Sequence, residues 1–384
     1  MINDKFKPKN SEEERDLLRI HWWNLPAGTC LYLNYFPKEI NKRGRYVTVK
    51  KLLKVLGREK SIDRLIKKVR TSFREGREIN VEFPINLNNL DYVKLYALMS
   101  SEGSFKTEFK IHVPETIFHS IFKETLANII SKDITKYIKK YERNNAIVSR
   151  APSIARYLVP IPDKIPNLIL KNKEYAKEYL KIAFEAEGSP ILKGNKRYIK
   201  LSRNCNISEF KDLINIPKEE RVYIGKVKEK YPDFVKKIAK FPPYLLLGES
   251  LMLKTFFDID NIIKLEAIRL NKTEFRRCKL SARWVLYIYA DNINRFIEKI
   301  GFISKRKSEI CKRMMKISAR RQQFFVLNLI TNIQKDSCFT RKELFKVMKK
   351  YGYKSPQAYL WRYEKKGLIK RIGKGHYKII YQPT

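Results

Sequence analysis

Acidic residues are scarce in this 384-residue chain: 40 Asp and Glu stand against 82 Lys and Arg, a formal charge of +42 at pH 7. An excess of that size repels itself unless it faces a polyanion, and a phosphate backbone is the commonest soluble one. Cysteine is sparse and unpatterned. Cys30, Cys205, Cys278, Cys311 and Cys338 are odd in number and never spaced as C-x-x-C, which speaks against a disulfide framework and implies buried thiols in a reducing compartment. His21, His112, His119 and His376 fall in no metal-ligand spacing, so no zinc site is expected. Phosphate-cradling loops are lacking too. Gly373-Lys-Gly375 is without the further glycines and the Ser or Thr of a P-loop or dinucleotide fingerprint, and nucleotide-driven chemistry has no support. No apolar run reaches the roughly 18 residues of a spanning helix; Trp284 to Ala290 suits a buried strand. No apolar stretch follows the charged start at Met1 to Lys5, so the expectation is a soluble, cytoplasmic, nucleoid-associated protein without a secretory leader.

What is present suffices for packed cores. Hydrophobic residues make up 43%, with 21 Phe, 22 Tyr and 4 Trp, which excludes general disorder. The basic residues run along the whole chain and are not confined to one amphipathic helix, so a membrane surface fits less well than nucleic acid. Val159-Pro-Ile-Pro-Asp-Lys-Ile-Pro166 cannot be helix or central strand and reads as a linker. Before the centre lies a basic N-terminal segment, 1–85, with short helices at about 47–56 and 61–74 and a strand at 79–84; His21-Trp-Trp-Asn within it reads as buried aromatic packing.

The C-terminal segment, 319–384, is the most legible. A helical period runs from 322 to 333, Thr340-Arg-Lys-Glu343 is a capping box, and Ser355-Pro356 opens a third helix that stops at Gly367. Two alternating strands around Gly373-Lys-Gly375 follow, which together make a winged helix-turn-helix. Tyr359, Leu360, Trp361 and Tyr363 supply the buried side of the third helix. Gln357, Arg362, Lys365 and Lys366 are then expected to face DNA, with Lys374 on the wing.

An internal repeat occupies the centre. Leu95-Tyr-Ala-Leu-Met-Ser-Ser-Glu-Gly-Ser104 aligns, 85 positions on, with Leu180-Lys-Ile-Ala-Phe-Glu-Ala-Glu-Gly-Ser189. Each is an apolar helix ending in Glu-Gly-Ser, followed by strands, at 105–112 and around 191–203, and then by an amphipathic helix, at about 115–130 and 207–214. A carboxylate at a helix C-terminus sits at the negative end of the dipole and is unfavourable there until a cation arrives. Two such ends side by side make a divalent-metal site of the hard, Mg²⁺-selecting kind. Gly103 and Gly188 are expected as left-handed C-caps.

Both segments resemble the LAGLIDADG motif, with Leu95 and Leu180 at its first position and Glu102-Gly103 and Glu187-Gly188 at its last two. The chain is similar to single-chain, two-repeat homing endonucleases of that family, of archaeal type, with an added winged helix. Arg283 to Ala290, the following 291–302 and Lys305-Arg-Lys307 resemble its closing strand, helix and basic turn. Ala97 fits the close packing of the family's motif helices, whereas Lys181 and Ile182 stand where Ala and Gly are usual. The resemblance implies an α+β fold of two pseudo-symmetric αββαββα subdomains with saddle-shaped antiparallel sheets, the repeats spanning 86–166 and 167–318. It implies Mg²⁺ held by Glu102 and Glu187, with Lys305 and Lys307 as the supporting basic residues. Lys106, Lys110, Lys193, Lys196, Arg197, Lys200 and Arg203 become candidate phosphate or base contacts. The expected activity is site-specific cleavage of double-stranded DNA by a monomer; the alternative is a non-cutting DNA-binding regulator or an intron RNA maturase on the same scaffold.

Overall fold

Asparagine opens both motif helices. Asn89 Oδ1 accepts from Tyr92 N at 2.8 Å, and Asn172 Oδ1 accepts from Glu174 N and Tyr175 N at 2.9 and 3.1 Å, so donors without an intrahelical partner are satisfied at each start. In the computed structural model, which describes residues 18–35, 46–70, 77–105, 108–193, 196–215, 221–272, 278–289, 292–319, 338–350, 356–365 and 367–380, these helices are Leu90–Glu102 and Lys173–Glu187. The protein is α+β with several antiparallel sheets. It divides into two units, residues 1–189 with 199–304, and residues 190–198 with 305–384. Among the described residues, no helix is long and apolar enough to cross a membrane.

The motif helices pack against each other in the first unit, with Tyr96 and Tyr179 ring centroids 5.9 Å apart. Leu95, Tyr96, Ala97, Leu98, Leu180, Ile182, Ala183 and Phe184 are all buried there. After the first helix the sheet order is Gly103–Ser104, Lys110–Val113, Ala146–Arg150, Lys139–Arg143, with helix Thr116–Ile129 between the two strand pairs in sequence. After the second the order is Gly188–Lys193, Lys196–Asn206, Cys278–Tyr289, Ile262–Lys272, Arg221–Tyr223. Both sheets put the second strand after the motif helix beside the last strand of their hairpin. Helices Ile224–Lys230, Pro232–Ile238 and the longer Tyr244–Phe257 fill the second interval, and not 207–214, which forms only a short 3-10 turn, Ser208–Leu213.

Within 18–35, 46–70 and 77–80 the structure departs from the short-helix expectation, whose last positions, 71–74, lie outside the described residues. Val49–Leu56 is a helix, but Ile66–Arg70 is a strand in a four-stranded sheet, order Tyr46–Thr48, Cys30–Leu33, Ile66–Arg70, Glu78–Asn80. Spacing of Ile66 and Val69 is helical, but backbone pairing on both sides decides for the strand, and an irregularity in register opposite Tyr32 and Leu33 lets both side chains face the core. Trp22 is fully buried, its amide donating to Asp63 Oδ1 at 3.2 Å and its ring nitrogen to Glu59 O at 3.1 Å. On one sheet face Arg70 pairs with Glu78 at 2.5 Å and stacks 4.4 Å from the Tyr46 ring. The Tyr46 hydroxyl and Arg70 hold the Glu78 carboxyl down at about 2, while burial and Glu78 push the Tyr46 phenol up to about 12.

In the second unit, strand Cys338–Thr340, helices Arg341–Lys350 and Pro356–Lys365, and strands Ile369–Gly373 and His376–Ile379 enclose a core of Phe339, Leu344, Met348, Leu360, Tyr363, Ile369 and Tyr377. The capping box forms: Thr340 N donates to Glu343 Oε2 at 2.7 Å and Glu343 N to Thr340 Oγ1 at 3.2 Å. The expected helix at 322–333 lies outside the described residues. Trp361, expected on the buried side, is 59% exposed, because Leu360 and Tyr363, three residues apart, define an inward face from which Trp361 points away. Cys338 is likewise an exposed thiol, while Cys30 and Cys311 are buried.

Candidate nucleic-acid interface

Each motif helix runs into its sheet with no intervening loop. Gly103 N donates to Met99 O and Gly188 N to Phe184 O, and the next residues are already strand. Neither glycine is left-handed as expected: φ is −94° at Gly103 and −84° at Gly188. Glycine is needed there for space. A Cβ would stand 2.6 Å from Met99 Cα at the first joint and 2.9 Å from Phe184 Cα at the second. Glu102 and Glu187, the last residues of their helices, are half-buried.

The end of the first motif helix meets the guanidinium of Arg203. Its Nη1 donates to Ser101 Oγ at 3.1 Å, its Nε to Glu249 at 3.2 and 3.4 Å, and its Nη2 also binds Glu249 Oε1. Tyr179 OH donates to the same carboxylate at 2.9 Å, and Glu249 and Tyr179 are both fully buried. Burial opposes the Arg203 charge, but Glu249, Tyr179 and Glu187 outweigh it and hold the guanidinium protonated; burial and the Glu249 charge push the Tyr179 phenol well up. Arg203 was expected on a DNA-reading face. It is 5% exposed, on the inward side of its strand with Ile199 and Leu201. Glu185 has a structural part: its Oε2 accepts from Ile303 N at 2.7 Å and Ser304 N at 3.1 Å.

The other expected contacts fall in different places. Lys110 is half-buried and paired with Glu108, which also binds Arg150 at 3.0 Å. Arg197 is half-buried, its Nη1 reaching Met314 O at 3.4 Å, and Lys200 is half-buried on the opposite side of its strand from Arg203. Lys106 and Lys366, and the side chains of Lys193, Lys196 and Arg362, lie outside the described residues. Lys305 is exposed and Lys307 buried in helix Lys305–Ala319 of the second unit. Gln357 and Lys365 are exposed on helix Pro356–Lys365, and Lys374 is exposed at the turn of the terminal hairpin.

A basic depression on the second sheet escaped sequence reasoning. A cavity of about 240 Å³ is lined by Asn204, Asn206, Arg221, Arg269, Lys279, Ser281 and Arg283, among others. Arg221 lies directly opposite Arg269, and Arg269 opposite Ser281. Two like charges across one strand pair repel unless an anion lies between them. Arg283 is held in place, with Nε 3.2 Å from Glu266 and Nη2 donating to Ser202 Oγ at 3.0 Å. The signal was parity. Leu280, Ala282 and Trp284 face the core, so Lys279, Ser281 and Arg283 must face out. Among the described residues, no group of three or more His, Cys, Asp or Glu is placed to hold a metal ion.

No known protein family matches the chain, and no curated protein sequence is similar to it. Several solved structures align at low identity, among them the following. Full-length DUF199/WhiA from Thermatoga maritima is 14% identical over 64% of this chain and 66% of that one, just under two thirds of its length, with a TM-score of 0.33. The N-terminal LAGLIDADG domain of DUF199/WhiA is 16% identical over 58% and 88%, with a TM-score of 0.28. Mesophilic variants of the homing endonuclease I-DmoI are 13% identical over 55% and 92%, with a TM-score of 0.30.

Proposed function

We propose that this chain is a site-specific double-strand DNA endonuclease built on two LAGLIDADG repeats, with a winged helix-turn-helix at its C-terminus adding contacts to the same duplex. One observation carries the reading: two packed helices that both end in Glu-Gly and pass directly into strands, Glu102 to Gly103 and Glu187 to Gly188. The order of strands in the two sheets is what a duplication would leave. The donor set suits a hard divalent ion. Two carboxylates at negative helix ends, with phosphate oxygens and water to complete the shell, match Mg²⁺ better than a softer metal. Glu102 and Glu187 would hold it, and the ion when bound supplies charge stabilisation and an activated water for phosphodiester hydrolysis.

The chain's own residues do the rest. Arg221, Arg269 and Lys279 bind phosphates along the second sheet, and Arg283, braced by Glu266 and Ser202, keeps a fixed donor on that face. Arg203, tied to Ser101 and Glu249, fixes the end of the first motif helix against the second repeat. Lys305 and Lys307 remain the basic residues proposed to support cleavage. Both acids lie in one chain, so the reading requires no self-dimer and no palindromic target.

A second reading is a non-cutting DNA-binding regulator, in which the basic second sheet and the Arg203–Glu249 pair that braces the motif helices serve binding alone. An intron RNA maturase on this scaffold would instead prefer intron RNA over duplex DNA at matched salt. The deciding experiment incubates the protein with its host's genomic DNA and Mg²⁺, maps new ends by sequencing, and runs Glu102→Gln and Glu187→Gln in parallel. Discrete ends that vanish in both variants are expected. Salt-sensitive duplex binding without new ends would overturn the nuclease and leave the regulator.

A further inference from the structure

Helix Pro356–Lys365 has two faces of different chemistry. Leu360 and Tyr363 are buried in the core of the C-terminal fold, with Tyr359 packed partly against it. Opposite them Gln357, Trp361 and Lys365 are exposed, and their spacing of four residues stacks them in one stripe. Lys365 Nζ lies 4.9 Å from the Trp361 ring centroid, holding a cation over the indole. An indole 59% open to water at the middle of a ten-residue helix is no part of the core beneath it. Such residues mark contact sites, where tryptophan is enriched.

The surroundings say what kind of contact. Residues 338–380 carry 13 Lys and Arg against 2 Asp and Glu. Lys370, Arg371, Lys374 and Lys378 are exposed on the neighbouring hairpin. A partner meeting this surface must be polyanionic, and it must also offer an apolar feature for the indole. Phosphates alone would be served by lysine. A base edge in a major groove supplies both features together, because thymine carries its C5 methyl among flanking phosphates. We propose that Trp361 is a DNA-contacting residue that takes a thymine methyl group in duplex DNA, with Gln357 and Lys365 on either side of it contacting neighbouring bases and phosphate. This inference rests on the reading of the C-terminal fold as a duplex-DNA binder and adds to it a determinant of sequence preference.

The full-length chain provides its own probe. Of its four tryptophans, Trp22 and Trp284 are buried and Trp23 half-buried, so the emission lost in Trp361→Phe isolates the exposed ring. Acrylamide quenching is measured for wild type and Trp361→Phe, with and without a saturating pool of random-sequence duplex DNA. Affinity for thymine-containing and uracil-substituted duplexes is then compared between wild type and Trp361→Ala, the fold of each variant being checked by circular dichroism. The expected result is that duplex DNA shields the Trp361 component, and that Trp361→Ala weakens binding about tenfold and removes the preference for thymine over uracil. Duplex binding with the Trp361 component still open to quencher, and with Trp361→Ala binding as tightly as wild type, would overturn the inference and leave DNA binding standing. Shielding that depends on protein concentration and not on DNA would assign the indole to self-association, also overturning it. Absence of any duplex binding by the full chain would remove the parent reading itself.

Discussion

A guanidinium sealed from water demands a carboxylate within reach, and Arg203 has one in Glu249. Replacing one partner leaves the other charged and buried. Arg203→Met is therefore expected to lower unfolding free energy by about 3–5 kcal/mol in urea titration, while Arg203→Met with Glu249→Leu recovers most of that loss. Acid and base limits of the N-terminal sheet are set by another pair. Glu78 titrates below its unfolded value, so its contribution is present above about pH 4.5 and is lost as pH falls towards 2. Tyr46 titrates above its unfolded value, so its contribution holds up to about pH 10 and is lost as pH rises through 12. Glu78→Gln is expected to flatten the acid limb of the stability profile and to bring the Tyr46 phenol back towards 10 in an ultraviolet titration. At this scale the sequence was legible in kind but not in direction. An arginine in a strand was read as surface, yet Arg203 shares parity with Ile199 and Leu201, and only a buried acid 46 residues away makes an inward arginine tolerable. Trp361 failed in the opposite sense, since aromatic character does not say which face of a helix is covered.

Elements were legible where local chemistry defines them and obscure where pairing does. The Thr340 to Glu343 cap, the Ser-free asparagine caps of the motif helices and the terminal hairpin are all local, and the first and last of these are plain in the sequence. Ile66–Arg70 became a strand through partners at Cys30–Leu33 and Glu78–Asn80, which no local pattern announces. Tyr244–Phe257 hid behind Pro242 and Pro243, which begin it. The two motif glycines were recognised as necessary for the wrong reason, and that has a measurable consequence. Gly188→Ala is expected to destabilise the protein, because the added methyl meets Phe184 backbone that cannot move without shifting the helix. Gly225→Ala, in helix Ile224–Lys230 with nothing near its Cβ position, is expected to stabilise by about 0.5–1 kcal/mol. Thermal melts of the two variants side by side separate steric need from helix propensity.

For the molecule as a whole, charge sets the behaviour expected in solution. If phosphates are met along the second sheet and at the C-terminal fold together, roughly six to ten contacts release their counterions on binding. Duplex affinity is then expected to fall about 10³-fold or more between 50 and 200 mM salt, read as the slope of a log–log binding plot. Arg221→Ala with Arg269→Ala should reduce that slope by about two, since each removes one phosphate contact. A slope near zero would show that the excess charge serves solubility alone. The joints at Gly103 and Gly188 add a mechanical condition to this picture. With no residue of slack between an acid-bearing helix and the strand it becomes, each pair behaves as a crank. Twisting a sheet to follow a ligand must turn its helix, and repacking the helices must change the pitch of both sheets, so grip and carboxylate position cannot be tuned independently by mutation.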